Sequence, residues 1–349
     1  MMGPKSIRNN RTGHRIFMTQ QSGNDDPIEL TPPDISPYKV GNTGVDYFTT
    51  FEAAVPGPHV MITAVVHGNE LCGAIALDHL FRENLRPARG KLTLGFANVG
   101  AFHSFDPAQP RESRYLDEDF NRLWDVATLE GERDSAELRR AREIRPLVDQ
   151  ADFLLDIHSM QHATAPLMMA GPLPKGRALA RGVGIPETVV SDAGHAAGRR
   201  MRDYLGFAEE ASPRNALLIE CGQHWEAGSR EVAIATAYRF LRHLEAIAPE
   251  VAEPYVSEPA PDQKFIEVAE PVTIETDEFR FAKNYRGLEV IAKAGTVIGY
   301  DGDKEITTPF DDCVLIMPSR RLNKGESAVR LGRFVPVASG EAGAPAWSS

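Results

Sequence analysis

Residues 59–70 read "HVMITAVVHGNE", an apolar run that stops at His67 and is followed three residues later by Glu70. The apolar part is typical of a buried strand, and the next segment, 70–84, has the spacing of an amphipathic helix. Gly68 permits a tight turn between the two. A strand that leads through a short turn into a helix is the repeating unit of α/β proteins. We therefore expect His67 and Glu70 to lie at the C-terminal end of a buried strand.

The same alternation continues to about residue 250. Apolar runs predict further strands at 91–98, 152–158, 165–171, 187–192 and 215–222. Helical spacing predicts helices at 135–151, 175–184, 196–206 and 229–247, with Asp134 as the candidate cap of the first and a long polar loop at 99–134. Strands that alternate with helices predict an α/β sheet covered on both faces, a three-layer α/β/α fold.

The composition changes near residue 249. The segment 249–263 is rich in proline and acidic residues, as linkers are. Short strand-like runs with Gly and Pro turns follow at 265–276, 279–285, 288–300 and 311–319. We predict an N-terminal tail at 1–40 that is partly disordered, an α/β domain at 41–250, a smaller all-β domain at 262–337 and a flexible tail at 338–349.

The overall composition argues against several classes of function. The chain of 349 residues has 38 basic and 49 acidic residues, a net charge of −11 and no basic cluster, which disfavours nucleic acid as a partner. No apolar run approaches the ~18 residues that span a bilayer. Three separated cysteines without a C-x-x-C pair indicate a reducing compartment, so we expect a cytoplasmic protein that binds no membrane. The G-x-S-x-G and P-loop motifs are absent.

A second histidine lies in the same context as His67. The run "FLLDIH" ends a predicted strand in His158, with Asp156 on the same strand face as a candidate partner. The carboxyl ends of parallel strands meet at one edge of the sheet, and histidine nitrogen and carboxylate oxygen are zinc ligands. A lone histidine there is more often structural, but two such ends, one carrying His-x-x-Glu, favour a metal site with His67, Glu70 and His158.

Two further segments contain charged residues that suit a reaction site. The loop 111–124, "RESRYLDEDFNRLW", contains Arg114, Asn121 and Arg122. Arginine binds carboxylates bidentately, although a solvated charged loop is the alternative. The run "NALLIECGQHW" puts Glu220 at the end of an apolar strand. A carboxylate there is either a general base beside a metal-bound water or a partner in a structural salt bridge.

Four motifs taken together resemble one protein family. "HGNE" (67–70), "RYLDEDFNR" (114–122), "DIHS" (156–159) and "IECG" (219–222) occur in the order of the succinylglutamate desuccinylase/aspartoacylase family, which is related to the zinc carboxypeptidases. The resemblance covers about residues 55–335. It implies a zinc-carboxypeptidase-like catalytic domain, here 41–250, with a smaller C-terminal β domain.

The resemblance also implies one Zn²⁺ per subunit and roles for specific residues. These are the zinc ligands His67, Glu70 and His158, the general acid/base Glu220, Arg114 at the scissile carbonyl and its oxyanion, and Asn121 and Arg122 at the α-carboxylate of the substrate. The function implied is a zinc-dependent amidohydrolase that cleaves the amide bond of a small N-acyl amino acid, with Glu220 activating the zinc-bound water. The oligomeric state stays open, and a homo-oligomer is one of the options.

The sequence departs from the family's pattern at the substrate side chain. The aspartoacylase branch has an arginine about ten residues before the catalytic glutamate, where this chain has Glu210, and Arg214 is too close to take its place. The acidic pair Glu209 and Glu210 favours a substrate with a neutral or cationic side chain. The loop histidines His162 and His195 are weaker candidates for lining the pocket.

Two alternatives use the same residues differently. A zinc carboxypeptidase acting on short peptides would need the same ligands and the same base. In the family, the C-terminal β domain narrows the entrance of the site, which favours a small substrate over a peptide. A metal-binding module without turnover would keep His67, Glu70 and His158 but would not need Glu220 or Arg114.

Overall fold

The computed structural model describes residues 26–194, 197–256 and 259–336. The predicted flexible tail at 338–349, most of the predicted N-terminal tail and His195 lie outside the described residues. The described chain has a mixed α/β fold with one large sheet and one small antiparallel sheet. Its helices include none that is both long and apolar enough to cross a membrane.

Fourteen strands and seven α-helices make up the described part of the chain. The strands are β1 Phe48–Glu52, β2 His59–Ala64, β3 Lys91–Phe96, β4 Phe153–Met160, β5 Leu167–Met169, β6 Thr188–Ser191, β7 Asn215–Gln223, β8 Lys264–Thr273, β9 Phe279–Phe281, β10 Glu289–Ile291, β11 Val297–Asp301, β12 Lys304–Thr307, β13 Cys313–Ile316 and β14 Ser327–Val335. The helices are α1 Leu71–Arg82, α2 Val99–His103, α3 Val126–Glu130, α4 Ala136–Gln150, α5 Pro174–Val183, α6 Ala227–His243 and α7 Pro249–Ala252.

The large sheet has the strand order β1-β3-β2-β4-β7-β5-β6-β8-β14-β13-β10. At its centre β3, β2, β4 and β7 run parallel, so their carboxyl ends share one edge. β5 runs antiparallel to β7, and β6 is parallel to β5. The small sheet joins β12, β11 and β9. The four parallel strands therefore create the edge at which we expect His67 and His158 to meet.

Helices cover both faces of the parallel strands. On one face, α1, α5 and α6 pack against Val60, Ile62 and Leu155. On the other face, α4 packs against Met61 and Leu154. Residues of one strand alternate between these two clusters because successive side chains point to opposite faces. Fully burying one such side chain stabilises the fold by about 1.5–3 kcal/mol. The predicted α/β/α layering is confirmed.

The C-terminal strands extend the large sheet. β8 pairs in parallel with β6 over four residues, from Thr188 opposite Lys264 to Ser191 opposite Glu267. β14, β13 and β10 then continue the sheet by antiparallel pairing. Since the sheet runs across the predicted linker, the division into domains at 41–250 and 262–337 stays a prediction.

The described end of the predicted N-terminal tail packs on the α/β region. Leu30 and Ile35 are buried in the main apolar cluster. The backbone N–H of Glu29 donates to the carbonyl of Trp225 at 3.0 Å, and its carboxylate accepts from the N–H of Ala227, the first residue of α6, at 2.8 Å. These contacts hold residues 29–35 against the core.

The segment 99–134, predicted as a loop, contains the short helices α2 and α3, and one buried carboxylate holds the part between them in place. Glu137, fully buried near the start of α4, accepts hydrogen bonds from the backbone N–H groups of residues 116–118 at 2.7–3.2 Å. The cap of α4 is Ser135, which accepts a hydrogen bond from the third residue of the helix, so the prediction of Asp134 as cap is wrong. Asp134 forms an ion pair with Arg139 instead.

The predicted helix at 196–206 is wrong. The described part of this segment forms two 3₁₀ turns, Met201–Asp203 and Leu205–Ala208. Gly198 has a φ of 138°, and a Cβ there would lie 2.1 Å from the carbonyl oxygen of Arg122. The backbone therefore leaves the helical region in order to pack against the loop that carries Arg122.

Candidate metal centre and active site

His67, Glu70 and His158 converge at the carboxyl edge of the parallel strands. Each offers one ligand atom, and these atoms all lie within 4.8 Å of one another. Nδ1 of His67 lies 2.7 Å from Glu70 Oε1, and Nδ1 of His158 lies 2.8 Å from Glu70 Oε2. Two imidazoles and a carboxylate form a donor set that suits Zn²⁺ and leaves a fourth position for water or substrate. The three side chains therefore could hold one metal ion.

The second nitrogen of each histidine contacts a carboxylate. Nε2 of His158 lies 2.8 Å from Asp156 Oδ2, and Nε2 of His67 lies 3.0 Å from Asp119 Oδ1. A carboxylate at Nε2 keeps the proton on that atom and directs Nδ1 towards a metal. Asp156 is fixed in turn by a 2.8 Å hydrogen bond from the hydroxyl of Thr63. The site thus has the outer contacts that orient histidine ligands.

The charges in this cluster stabilise one another. Burial opposes the ionisation of Glu70, but His67 and His158 outweigh it and hold the pKa of its carboxyl well below the usual range. Burial also opposes the protonation of His158, but Asp156 and Glu70 outweigh it and raise the pKa of its imidazole well above the usual value. Carboxylates on both sides of the histidines therefore favour positive charge at this point, which a metal cation can supply.

The backbone between β2 and α1 leaves no room for a side chain at Gly68. A Cβ there would lie 2.2 Å from the carbonyl carbon of Ala101 and 2.4 Å from the carbonyl oxygen of Ser113. The N–H of Gly68 donates to the carbonyl of Arg114 at 3.1 Å. This close approach joins the turn that carries His67 to the loop that carries Arg114.

Glu220 is the buried acid beside the candidate ligands. It pairs in register with His158 across β7 and β4, and its side chain is 7 % exposed. Its Oε2 atom accepts no hydrogen bond from the described residues. Burial raises the pKa of its carboxyl to about 8; His158 and Arg114 oppose the rise, and Glu70 adds to it. A buried carboxylate with an unpaired oxygen and a raised pKa is typical of acid–base chemistry.

Asp119 holds two arginines next to the candidate ligands. Arg114 Nη2 lies 3.1 Å from Asp119 Oδ2, and Nη1 lies 3.6 Å from Glu70 Oε1. Arg122 Nη2 lies 3.9 Å from the same Asp119 oxygen. Burial disfavours the charged form of Arg114, but Asp119 and Glu70 outweigh it and raise the pKa of its guanidinium. Arg114 therefore stays cationic at the edge of the site.

Asn121 lies behind this pair of arginines and is 2 % exposed. Its Oδ1 accepts a 2.8 Å hydrogen bond from the N–H of Met201, and its Nδ2 lies 3.5 Å from His158 Nε2. Its backbone carbonyl accepts a 2.7 Å hydrogen bond from Arg122 Nη1. The contacts of Asn121 are thus with protein groups, and its predicted contact with substrate stays a prediction.

A cavity of about 260 Å³ opens in front of these groups. Its wall is built from both halves of the chain, and segment 317–330 supplies much of it. The residues of the predicted site that line it are His67, Glu70, Arg114, Arg122 and Glu220. Those from the C-terminal part are Met317, Pro318, Ser319, Arg321, Gly325, Glu326, Ser327, Val329 and Arg330.

Sequence reasoning missed two buried residues of this wall. His224 follows β7, its Nδ1 lies 2.9 Å from Ser159 Oγ, and burial lowers the pKa of its imidazole to about 3. Arg330 lies on β14 and is 5 % exposed. A signal for Arg330 was present in the sequence, because it is the single charged residue of the run "AVRLG" at 328–332. His162, predicted as a weaker candidate, does line the cavity.

The acidic pair used to infer the substrate's charge lies elsewhere. Glu209 and Glu210 are exposed, and neither lines the cavity. Arg214 donates to the carbonyls of Ala151 and Val148 at 2.8 and 2.6 Å, so it ties the start of β7 to the C-terminal end of α4. These residues therefore give no support to a neutral or cationic substrate side chain.

Comparison with known proteins places the chain in one family. The profile of the succinylglutamate desuccinylase/aspartoacylase catalytic domain matches residues 56–244, more than half of the 349 residues. No curated protein matches the chain.

Solved structures share the fold at low sequence identity. They include succinylglutamate desuccinylase from Vibrio cholerae (TM-score 0.59, 17% identity, covering 81% of this chain and 82% of that one). A second is a succinylglutamate desuccinylase/aspartoacylase from Rhodobacter sphaeroides, with a TM-score of 0.58 and 18% identity, covering 82% of this chain and 89% of that one. A third is the product-bound ectoine utilization protein EutE (DoeB) from Ruegeria pomeroyi, with a TM-score of 0.56 and 17% identity, covering 82% of this chain and 88% of that one. By the match to its catalytic-domain profile, the chain belongs to the succinylglutamate desuccinylase/aspartoacylase family.

Proposed function

We propose that the protein is a zinc-dependent deacylase that hydrolyses the amide bond of a small N-acyl amino acid. The observation that supports this most is that His67, Glu70 and His158 meet at one cavity beside a cationic Arg114 and a buried carboxylate, Glu220, whose Oε2 accepts no hydrogen bond from the described residues. Membership in a family named after two amide hydrolases agrees with this chemistry. A metal-binding module without turnover would not need Glu220 or Arg114.

The proposed roles follow from the positions of the side chains. His67, Glu70 and His158 hold the metal. When bound, Zn²⁺ polarises the acyl carbonyl and favours the ionised form of the neighbouring carboxyl. Glu220 accepts a proton from the attacking water and returns it to the leaving nitrogen, so that one water is consumed and a carboxylate and an amine are released. Arg114 stabilises the negative charge that develops on the carbonyl oxygen.

The amino-acid half of the substrate requires an anion site. Arg122 lines the cavity, and its planar guanidinium suits bidentate binding of the α-carboxylate. Asn121 orients Arg122 through its backbone carbonyl. Because this hydrogen bond fixes the guanidinium, we propose that Arg122 binds the free carboxylate that distinguishes an N-acyl amino acid from a simple amide.

The size of the cavity supports a small substrate. About 260 Å³ lies just below the usual range for ligand pockets, about 300–1,000 Å³. Segment 317–330 forms one wall and limits the space beyond the candidate metal. An N-acyl amino acid fits this space better than a long peptide does.

We further propose that the enzyme works in the cytoplasm. Cys72, Cys221 and Cys313 are buried and form no disulfide. Unpaired cysteines are usual in reducing compartments. The proposal rests on this cysteine usage and on the composition of the chain.

A hydrolysis screen tests the proposed function directly. Metal-free protein, with and without added Zn²⁺, is incubated with N-acetyl and N-succinyl amino acids and with C-terminally free dipeptides, and amine release is measured. We expect zinc-dependent release from at least one N-acyl amino acid, at a kcat/KM above that of every dipeptide. A higher kcat/KM on dipeptides would indicate a carboxypeptidase, and stoichiometric zinc without turnover would indicate a binding module.

A further inference from the structure

One side of the cavity contains a buried cluster of charges that the proposed chemistry does not use. The cluster consists of Asp192, Arg200, Arg202, Asp203 and Arg330, each at most 5 % exposed. Only Arg330 among them lines the cavity. It reaches the site from β14, in the C-terminal part of the chain, whereas the other four lie between β6 and β7.

A shared carboxylate fixes the orientation of Arg330. Its Nε lies 3.1 Å from Asp192 Oδ2, and Arg200 Nη1 lies 3.2 Å from the same oxygen. Arg200 and Arg202 also share Asp203, to which both form ion pairs. The contact through Nε sets the plane of the Arg330 guanidinium at the cavity wall. A planar donor fixed in this way is prepared for a ligand oxygen.

The cluster has more positive than negative charge. Within these five side chains, three guanidiniums face two carboxylates. Arg122 adds a further guanidinium close enough to act on Arg330, while the carboxylates of Asp119 and Glu326 face Arg122 and that of Glu220 faces Arg330. Burial, together with the charges of Arg200 and Arg122, lowers the pKa of Arg330 to about 10, with Asp192 and Glu220 opposing the shift. Burying like charges costs free energy that an opposite charge offsets. An anion placed between Arg122 and Arg330 would supply that charge.

We propose that Arg330 is a substrate-binding residue that holds the carboxylate of the N-acyl amino acid together with Arg122. The inference rests on the proposed function for the identity of the anion. The proposal gives β14, a C-terminal strand, a part in substrate recognition through the guanidinium of Arg330. The side chain of Asn121, by contrast, is bonded to the N–H of Met201. The amino-acid half of the substrate then lies between the two arginines, with its amide directed towards Glu220.

The test compares variants of Arg330 on paired substrates with and without the carboxylate. The variants are Arg330→Gln, which removes the charge, and Arg330→Lys, which keeps it. Arg333→Gln is the matched control, because Arg333 lies on the same strand, is exposed, and packs over the ring of Phe310 at 5.1 Å, outside the cavity. Each protein is assayed on the best N-acyl amino acid found and on its α-carboxamide.

We expect Arg330→Gln to lower kcat/KM on the acid by roughly 10- to 100-fold, as the loss of a charged hydrogen bond does. The carboxamide should change by less than about threefold, since it has no charge to lose. Arg330→Lys should lose less than Arg330→Gln on the acid, and Arg333→Gln should match the parent. Equal losses on acid and carboxamide, or no loss on either, would overturn the proposal. If Arg330→Gln does not fold, the same comparison is made with Arg330→Lys.

The outcome can be separated from that of the proposed function. If the parent hydrolyses no N-acyl amino acid, calorimetric titration with N-acetyl amino acids and their carboxamides replaces the kinetics. A preference of the parent for the acids that is lost in the Arg330 variants supports the assignment even without turnover. Equal binding of acids and carboxamides by the parent overturns it.

Discussion

Replacing Glu220 with glutamine isolates the proposed acid–base step. The amide has nearly the same shape as the carboxyl but cannot accept the proton of water. Oε2 of Glu220 accepts no hydrogen bond from the described residues, so an amide group at that position breaks no such bond. Because the buried charged form is already disfavoured, a neutral side chain carries no added burial cost. We therefore expect Glu220→Gln to fold and to unfold within a few degrees of the parent's Tm.

The size of the kinetic effect follows from the chemistry. General acid–base catalysis contributes about 10²–10⁴-fold, which corresponds to about 2.7–5.4 kcal/mol of activation free energy. Glu220 is proposed to act twice, on the attacking water and on the leaving nitrogen. We therefore expect kcat to fall by about 10²–10⁴-fold or more, with zinc content and KM near those of the parent.

Three measurements are made on Glu220→Gln and on the parent: kcat and KM on the best substrate, zinc content by mass spectrometry, and Tm. Glu209→Gln is the control, since it makes the same chemical change at an exposed position outside the cavity and should leave all three unchanged. Parent-like kcat in zinc-replete Glu220→Gln would exclude Glu220 as the base. Loss of zinc together with activity would make it a ligand or a structural residue instead.

Three further substitutions test the other parts of the site. His158→Ala should lose most of the bound zinc, because one of three ligands is gone; metal analysis after dialysis that gave the parent's content would remove His158 from the ligand set. Asp156→Asn should weaken zinc affinity by about 10–100-fold through the lost contact with His158 Nε2, measured by competition with a chromophoric chelator, and an unchanged affinity would contradict that role. Arg122→Lys keeps the charge but loses the planar fork, so KM on the best substrate should rise with a smaller change in kcat. Steady-state kinetics with an unchanged KM would show that Arg122 does not bind the carboxylate.

The sequence predicts the position of the candidate metal site well because that site depends on strand ends. His67 and His158 each follow an apolar run, and the parallel pairing of β2 with β4 brings such ends to one edge. Glu220 is predictable for the same reason, since it lies on β7 in register with His158. A regular pattern in the sequence therefore determines where these three side chains meet.

The far wall of the cavity is not predictable in this way. Arg330 lies more than 100 residues after Glu220 and reaches the site only because β8 pairs with β6 and β14 pairs with β8. No local pattern encodes that pairing. The segment near residue 200 is also misread as a helix, because its shape depends on the contacts of Gly198 with Arg122 and of Met201 with Asn121, which are distant in the sequence. Long-range contacts such as these override local helical spacing.

Zinc titration of the metal-free protein is the most direct test of the central claim. Activity on the best N-acyl amino acid is followed as Zn²⁺ is added in steps to a known concentration of protein, with His158→Ala in parallel. We expect activity to rise linearly and to reach its maximum at about one zinc per chain, since three ligands define one site, while His158→Ala stays inactive at that ratio. Full activity before any zinc is added, or a maximum at one equivalent in His158→Ala, would contradict a metal centre formed by His67, Glu70 and His158.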